Sequence, residues 1–160
     1  MEEKIINIPF MEYNSWDELP QDYKELLYSA EQACKSSYAP YSNFNVGAAV
    51  RMGNGEIVTG SNQENAASPS GLCAERVALF AAHHMYPEEK VVAIAIIGSQ
   101  NGIVTGEFTY PCAACVQVMV ESEKRSGSPM AIIVGSATKV RAIGSVNGLL
   151  PFSFSNIPAE

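Results

Sequence analysis

The sequence predicts an α/β fold, a three-layer α/β/α sandwich around a mixed sheet of roughly five strands. Two observations support this prediction. Segments with strand and helix periodicity follow one another as hairpin, helix, strand, helix and strand, an order that places helices on the faces of a mixed sheet. The chain has 160 residues, of which 47% are hydrophobic and 17% charged, and this composition suits a single domain with an extensive core.

The N-terminal part of the chain combines an irregular segment, a helix and a hairpin. Residues 1–20 are expected to form an irregular extension, with a short helix near 15–19, because prolines interrupt them. Apolar side chains recur at helical spacing over residues 21–36, which predicts a helix. Residues 44–52 and 56–60 flank Gly-Asn-Gly and therefore predict a β-hairpin.

The middle of the chain alternates polar loops with more apolar elements. Residues 62–72 are rich in Asn, Ser, Pro and Gly, which predicts a loop, and residues 73–85 have helical character. The β-branched run at residues 90–98 predicts a strand that is covered on both faces. Residues 100–110 are polar and contain glycine, so we expect irregular structure there.

The last third of the chain predicts a helix, two strands and a tail. Pro111 suits the first turn of a helix, which we expect to reach about residue 123. Residues 130–135 and 139–144 predict two strands, of which the second is weaker. The tail, residues 148–160, carries aromatic residues and prolines and is expected to be irregular.

Charge and hydropathy argue against two kinds of partner. The chain has 10 basic and 17 acidic residues, a net charge of −7, and a field of that sign repels the phosphates of a nucleic acid polymer. The longest apolar run, residues 91–97, is far shorter than the ~20 residues of a membrane span. The first residues show no secretory signal. We therefore expect a cytoplasmic protein that binds neither nucleic acid polymers nor membranes.

Three of the four cysteines have the spacing of a metal site. Cys112 and Cys115 form a C-x-x-C pair, and Cys73 lies 39 residues upstream of Cys112. In a reducing compartment, cysteines are more often metal ligands or catalytic groups than halves of disulfides. Three thiolates suit Zn²⁺, which takes four ligands, and they would leave one position open for water, as in a catalytic site.

A closed structural zinc site is the alternative, and it needs a fourth protein ligand. His83 and His84 are excluded, because they lie ~15 Å along the same predicted helix from Cys73. Cys34 remains a candidate, although its position in a helical pattern favours an inert thiol in the core.

Two charged residues next to Cys73 acquire roles beside such an ion. Three thiolates and Zn²⁺ sum to a net negative charge, and Arg76, one turn along the helix from Cys73, is the predicted charge-balancing cation. Glu75 could take a proton from the attacking water and pass it to a leaving group. The alternatives are a solvated surface charge for Arg76 and an acid that complements the helix dipole for Glu75.

The combination of C-x-E with a later P-C-x-x-C resembles the zinc-dependent nucleoside deaminases, specifically the small cytidine deaminases. The resemblance extends from about residue 30 to residue 154. Five segments carry it: residues 38–44 with 46–49, N-x-E-N-A at 62–66, C-A-E-R at 73–76, P-C-A-A-C at 111–115 and L-L-P-x-x-F at 149–154. The chain departs from the family pattern at Ser68, Ala113 and Val116, and its N-terminal extension, residues 1–20, has no counterpart in that pattern.

The resemblance implies that residues 21–160 form a single catalytic domain with one Zn²⁺ per chain, held by Cys73, Cys112 and Cys115. Glu75 would be catalytic, deprotonating the zinc-bound water that attacks C4 of the pyrimidine and then protonating N3 and the leaving ammonia. The implied substrate-binding residues are Phe44, Asn62, Glu64, Ala74 and Phe154. The family also implies a homotetramer, in which Phe154 would reach the active site of a neighbouring subunit.

The leading hypothesis is therefore hydrolytic deamination of cytidine and deoxycytidine in pyrimidine salvage. One alternative is a deaminase of a cytosine-bearing nucleoside antibiotic of the blasticidin S type, which would use the same chemistry with a changed pocket. A second alternative is a non-catalytic binding module stabilised by zinc, which would have no need for Glu75. A polynucleotide-editing deaminase is disfavoured by the net charge of −7.

Overall fold

A computed structural model of the protein describes residues 1–156; residues 157–160, which belong to the predicted tail and domain, lie outside the described residues. The predicted α/β class is confirmed, since one mixed sheet carries helices on both faces. The strands are β1 Phe10–Tyr13, β2 Asn45–Met52, β3 Ile57–Ser61, β4 Val91–Gln100, β5 Ile103–Val104, β6 Ala131–Gly135 and β7 Val140–Ile143. The α-helices are α1 Gln21–Ala33, α2 Ala74–Met85 and α3 Ala113–Ser126.

The sheet has the order β1-β7-β6-β4-β2-β3, and β5 forms a hairpin with the end of β4. Within residues 1–156, β4 and β6 are the only parallel pair. These two strands run in the same direction because α3 crosses one face of the sheet between them. That crossover brings the N-terminus of α3 close to the N-terminus of α2, which lies on the same face.

Seven strands replace the predicted five, and both additions depend on contacts that local sequence does not encode. Within the segment predicted to be irregular, β1 pairs with β7 in antiparallel register, from Phe10 opposite Ile143 to Tyr13 opposite Val140. The other addition, β5, has two residues and follows a turn at Asn101 and Gly102, both with positive φ. A strand that short has no periodicity to detect.

The two faces of the sheet bury two separate clusters of apolar side chains. Ile94 and Ile96 of β4 pack with α2 and α3, whereas Ala95 and Ile97 pack with α1 on the opposite face. This alternation follows from the period of two in a strand. A central strand covered on both faces is therefore apolar along its whole length, as the β-branched run predicted.

Close packing of α2 on β3 fixes where the first predicted metal ligand lies. A Cβ atom on Gly60 would lie 2.4 Å from the Ala78 nitrogen and 2.7 Å from the Ala74 oxygen. Only glycine therefore lets the helix backbone approach the strand this closely. The helix begins one residue after Cys73. None of the helices within the described residues is both long and apolar enough to cross a membrane.

Candidate metal centre and active site

The three predicted metal ligands come together between two helix N-termini. Cys73 immediately precedes α2, Cys112 immediately precedes α3, and Cys115 lies in the first turn of α3. The Sγ atom of Cys112 is 3.8 Å from that of Cys73 and 3.5 Å from that of Cys115. All three sulfur atoms lie within 4.8 Å of one another. Residues that are distant in sequence therefore form one compact cluster.

The sulfur separations fit a tetrahedral zinc ion. Zinc binds thiolates at about 2.3 Å, which places two ligands of a tetrahedron about 3.8 Å apart. Within residues 1–156, the cluster contains only these three cysteines. Cys34 is buried elsewhere, with its Sγ atom 3.6 Å from the Ile97 carbonyl, and His83 bonds to Ser122. The geometry thus matches three protein ligands with a fourth position open, and not a closed structural site.

The surroundings of the cluster favour negative charge on sulfur. Arg76 points Nη2 at the Cys73 Sγ atom, at 3.8 Å. Hydrogen bonds from the Cys115 thiol, Arg76 and the Cys112 thiol lower the pKa of Cys73 to about 5. The Cys73 thiolate and burial in turn raise the pKa of Cys115, because a thiol that donates to a neighbouring thiolate holds its proton more tightly. A cation bound to all three sulfur atoms would allow all three to be ionised at once.

Glu75 lies in the first turn of α2 and is only 3% exposed. Burial raises the pKa of its carboxyl to about 7, and the charge on Cys73 acts in the same direction. A carboxyl with this pKa exchanges a proton readily near neutral pH, which is the property of a general acid and base. Sequence placed Glu75 beside the cluster, and the fold adds the burial that tunes it.

A cavity of about 430 Å³ opens beside the sulfur cluster. Cys73 and Arg76 line one side, and the loop before α2 contributes Asn62, Glu64 and Ser68. A cavity of this size suits a small molecule of nucleoside dimensions. Cys73 of the metal cluster and the predicted substrate-binding pair, Asn62 and Glu64, therefore border the same cavity, whereas Cys112, Cys115 and Glu75 do not line it.

Asn62 and Glu64 first serve the structure of the loop around them. The Asn62 side chain accepts from the Val46 amide at 2.7 Å and from the Ser37 hydroxyl, and it donates to the Phe44 carbonyl at 2.9 Å. The Glu64 carboxylate accepts from the Tyr41 and Ser42 amides and from the Ser42 hydroxyl. These hydrogen bonds, that of the Ser42 hydroxyl above all, lower the pKa of Glu64.

The remaining predicted residues lie at different distances from this cavity. Phe44 is half-buried and packs against Gly98, where an added Cβ would lie 2.7 Å from its ring. Ala74 is the first residue of α2 and is fully buried in the core. Phe154 is 70% exposed and does not line the cavity of its own chain; its carbonyl accepts from Gln117 at 2.7 Å.

Tyr41 and Ser42 are among the residues of the site that the sequence did not predict. Tyr41 lines the cavity, and Ser42 holds both oxygens of Glu64. Both lie in segment 38–44, which carries the family resemblance, and Phe44 is the residue of that segment for which the resemblance implies substrate binding. Among the positions that depart from the family pattern, Ser68 lines the cavity, Val116 is buried in the core and Ala113 is exposed.

Residues 20–127 match the family profile described as "Cytidine and deoxycytidylate deaminase zinc-binding region". A cytidine deaminase of Halalkalibacterium halodurans is 43% identical over 100 residues, which cover 62% of this chain and 71% of that protein. One of Mycobacterium tuberculosis is 33% identical over 141 residues, 87% of this chain and 96% of that protein. The crystal structure of cytidine deaminase from Burkholderia pseudomallei superposes with a TM-score of 0.67 at 37% identity, covering 81% of this chain and 97% of that one.

Proposed function

Because this chain belongs to the zinc-dependent cytidine and deoxycytidylate deaminase family, we propose that it hydrolyses cytidine and deoxycytidine to uridine and deoxyuridine with release of ammonia. The observation that carries the proposal is the cluster of Cys73, Cys112 and Cys115 with the buried Glu75 beside it. Relatives named cytidine deaminases that align over most of their length support the substrate class.

The proposed mechanism assigns a separate task to each group. The three cysteines would hold one Zn²⁺, which when bound supplies a Lewis acid that makes water nucleophilic near neutral pH. Glu75 takes the two protons of the attacking water in turn, delivering the first to N3 of the base and the second to the departing amino group. A C4–O bond forms and the C4–N bond breaks, so that cytidine and water become uridine and ammonia. Arg76 balances the negative charge of the cluster.

The hydrogen-bond donor and acceptor positions that Asn62 and Glu64 do not use within the loop support binding of a ribose hydroxyl. An amide NH₂ group has two donors, of which Asn62 uses one on the Phe44 carbonyl. A carboxylate has about four acceptor positions, and three of those on Glu64 are used. One hydrogen-bond donor on Asn62 and one acceptor position on Glu64 thus remain at the wall of the cavity. A hydroxyl group, which accepts one hydrogen bond and donates another, satisfies both.

Substrate comparison tests the proposed function directly. We expect ammonia release from cytidine and deoxycytidine, with far slower release from free cytosine, because the sugar's binding energy orients C4 for attack. A cytosine-containing oligonucleotide should not react, since the net charge of −7 repels it. Failure of both nucleosides, with turnover of a cytosine-bearing antibiotic instead, would favour the alternative that a changed pocket rim at Ser68 selects a modified substrate.

Replacing Glu64 with alanine is expected to lower kcat/KM for cytidine by about tenfold, since the sugar hydroxyl then loses an ionised hydrogen-bond acceptor. The comparison substrate is 3′-deoxycytidine, which lacks the hydroxyl that cytidine and deoxycytidine share. If Glu64 contacts that hydroxyl, the variant and the wild type should convert 3′-deoxycytidine at similar rates. Equal losses on all three nucleosides would instead assign Glu64 to holding the Tyr41–Ser42 loop alone.

We also propose a homotetramer in which Phe154 acts on a neighbouring subunit. Its ring is exposed on its own chain and lies outside the cavity there. Stacking on a base is worth ~1–3 kcal/mol, so Phe154→Ala should lower kcat/KM for cytidine by about tenfold or more. The matched control is Phe152→Ala, since Phe152 is 87% exposed in the same tail. Full activity in a monomeric species, or an equal effect at Phe152, would contradict this role.

The proposed cellular setting is pyrimidine salvage in the cytoplasm. All four cysteines are free, and thiolate ligands persist in a reducing compartment, where disulfides rarely form. The substrate is then a free nucleoside. No nucleic acid polymer or membrane takes part in the proposal.

A further inference from the structure

Arg141 of β7 connects the N-terminal strand to the loop that precedes α3. Its guanidinium lies 4.4 Å from the centre of the Phe108 ring and 5.3 Å from that of Phe10. Its Nη1 donates to the Tyr110 hydroxyl at 2.6 Å, and its Nε donates to the Glu12 carboxylate at 2.7 Å. One side chain therefore contacts four others, two on each side of it.

The loop that Arg141 holds leads directly to a metal ligand. Tyr110 is separated from Cys112 only by Pro111. Within the described part of the chain, residues 106–111 make no backbone–backbone hydrogen bond outside regular elements. The rings of Phe108 and Tyr110 lie 5.9 Å apart and both contact Arg141. The side chains that meet at Arg141 therefore replace the missing backbone support.

The N-terminal strand fixes Arg141 from the other side. Pairing of β1 with β7 places Glu12 directly opposite Arg141. The bond from Arg141, together with that from Lys139 at 3.2 Å, lowers the pKa of Glu12 and keeps the carboxylate ionised. A planar guanidinium that is bound at two of its nitrogen atoms has a defined orientation. Glu12 thus sets the orientation in which Arg141 meets Tyr110.

We propose that Arg141 is a positioning residue for Cys112, and that β1, through Glu12, holds Arg141 in the orientation this requires. The inference rests on the proposed function, because it takes Cys112 to be a zinc ligand. Groups that orient a ligand from outside the coordination sphere change metal affinity by about 10–100-fold when they are removed. An exposed ion pair contributes little to global stability. The effect should therefore appear at the metal site and not in the melting temperature.

The Tyr110→Phe variant tests the contact most cleanly, since it removes one hydroxyl and keeps the ring. We expect its zinc to transfer to a chromogenic chelator about tenfold faster than that of the wild type. Replacing zinc with Co²⁺ gives a second readout, because the thiolate-to-cobalt absorption band reports ligand geometry and should shift in the variant. The matched control is Lys139→Met, which removes the other cation on Glu12 and touches no part of the loop.

A double-mutant cycle shows whether Arg141 and Tyr110 act on the metal site through their mutual contact or independently. Arg141→Met should accelerate zinc release by at least as much as Tyr110→Phe, and the two changes together should add nothing further. Glu12→Gln should show the same effect in weaker form. Release rates and cobalt spectra equal to wild type in Tyr110→Phe and Arg141→Met would overturn the positioning role. A wild-type protein that binds no zinc would instead overturn the proposed function.

Discussion

Replacing Glu75 with glutamine is expected to lower kcat for cytidine by at least about 10²-fold while leaving the zinc content unchanged. Glutamine has nearly the same shape as glutamate, but its amide cannot accept the proton of the attacking water. Glu75 itself binds no metal in this geometry, since the cluster is formed by sulfur atoms. Loss of turnover with full metal occupancy would therefore isolate proton transfer from metal binding.

The fold should tolerate this change. Burial favours the neutral form of Glu75, as its raised pKa of about 7 indicates, so a neutral amide relieves the cost of burying a charge. We expect the melting temperature of Glu75→Gln to equal or exceed that of the wild type above neutral pH. The matched control is Glu121→Gln, an exposed glutamate on α3. A kcat in Glu75→Gln comparable with that of the wild type would remove Glu75 from the mechanism.

The metal cluster was predictable because short sequence patterns around each cysteine indicate it. Each cysteine lies at the start of a helix whose apolar periodicity marks that start, and the C-x-x-C spacing is recorded in four residues. The restriction of the cluster to three cysteines was harder to predict, since the sequence left Cys34 as a candidate fourth ligand. Its burial against the Ile97 carbonyl, on the α1 side of the sheet, is a property of the fold.

The contacts of Arg141 and Glu12 near the cluster were not predictable, because no short sequence pattern indicates them. Arg141 lies in a short strand that showed only weak apolar character, and Glu12 lies in a segment expected to be irregular. Neither has a local pattern, because their contact depends on antiparallel pairing between residues 129 positions apart. Asn62 and Glu64 are intermediate. The family resemblance implied their place at the substrate site, and both line the cavity, but their hydrogen bonds to the surrounding loop appear only in the structure.

Replacing Cys112 with alanine is expected to reduce bound zinc from about one ion per chain to nearly none. Two thiolates and water hold zinc far more weakly than three thiolates, so the remaining pair should lose the ion to a chelator. Activity should fall by at least about 10²-fold, because the Lewis acid supplies several kcal/mol of transition-state stabilisation. Elemental analysis of the purified variant measures the metal, and ammonia release measures the activity.

Cys112 is the most informative of the three proposed ligands to change, because its side chain is exposed whereas that of Cys115 is fully buried. Truncation at Cys112 leaves no cavity in the core, so a loss of zinc there does not reflect a loss of packing. Cys34→Ser is the control, since Cys34 lies outside the cluster and should leave the metal content unchanged. Zinc retained at the wild-type level in Cys112→Ala, or lost in Cys34→Ser, would show that the ion is bound by a different set of ligands.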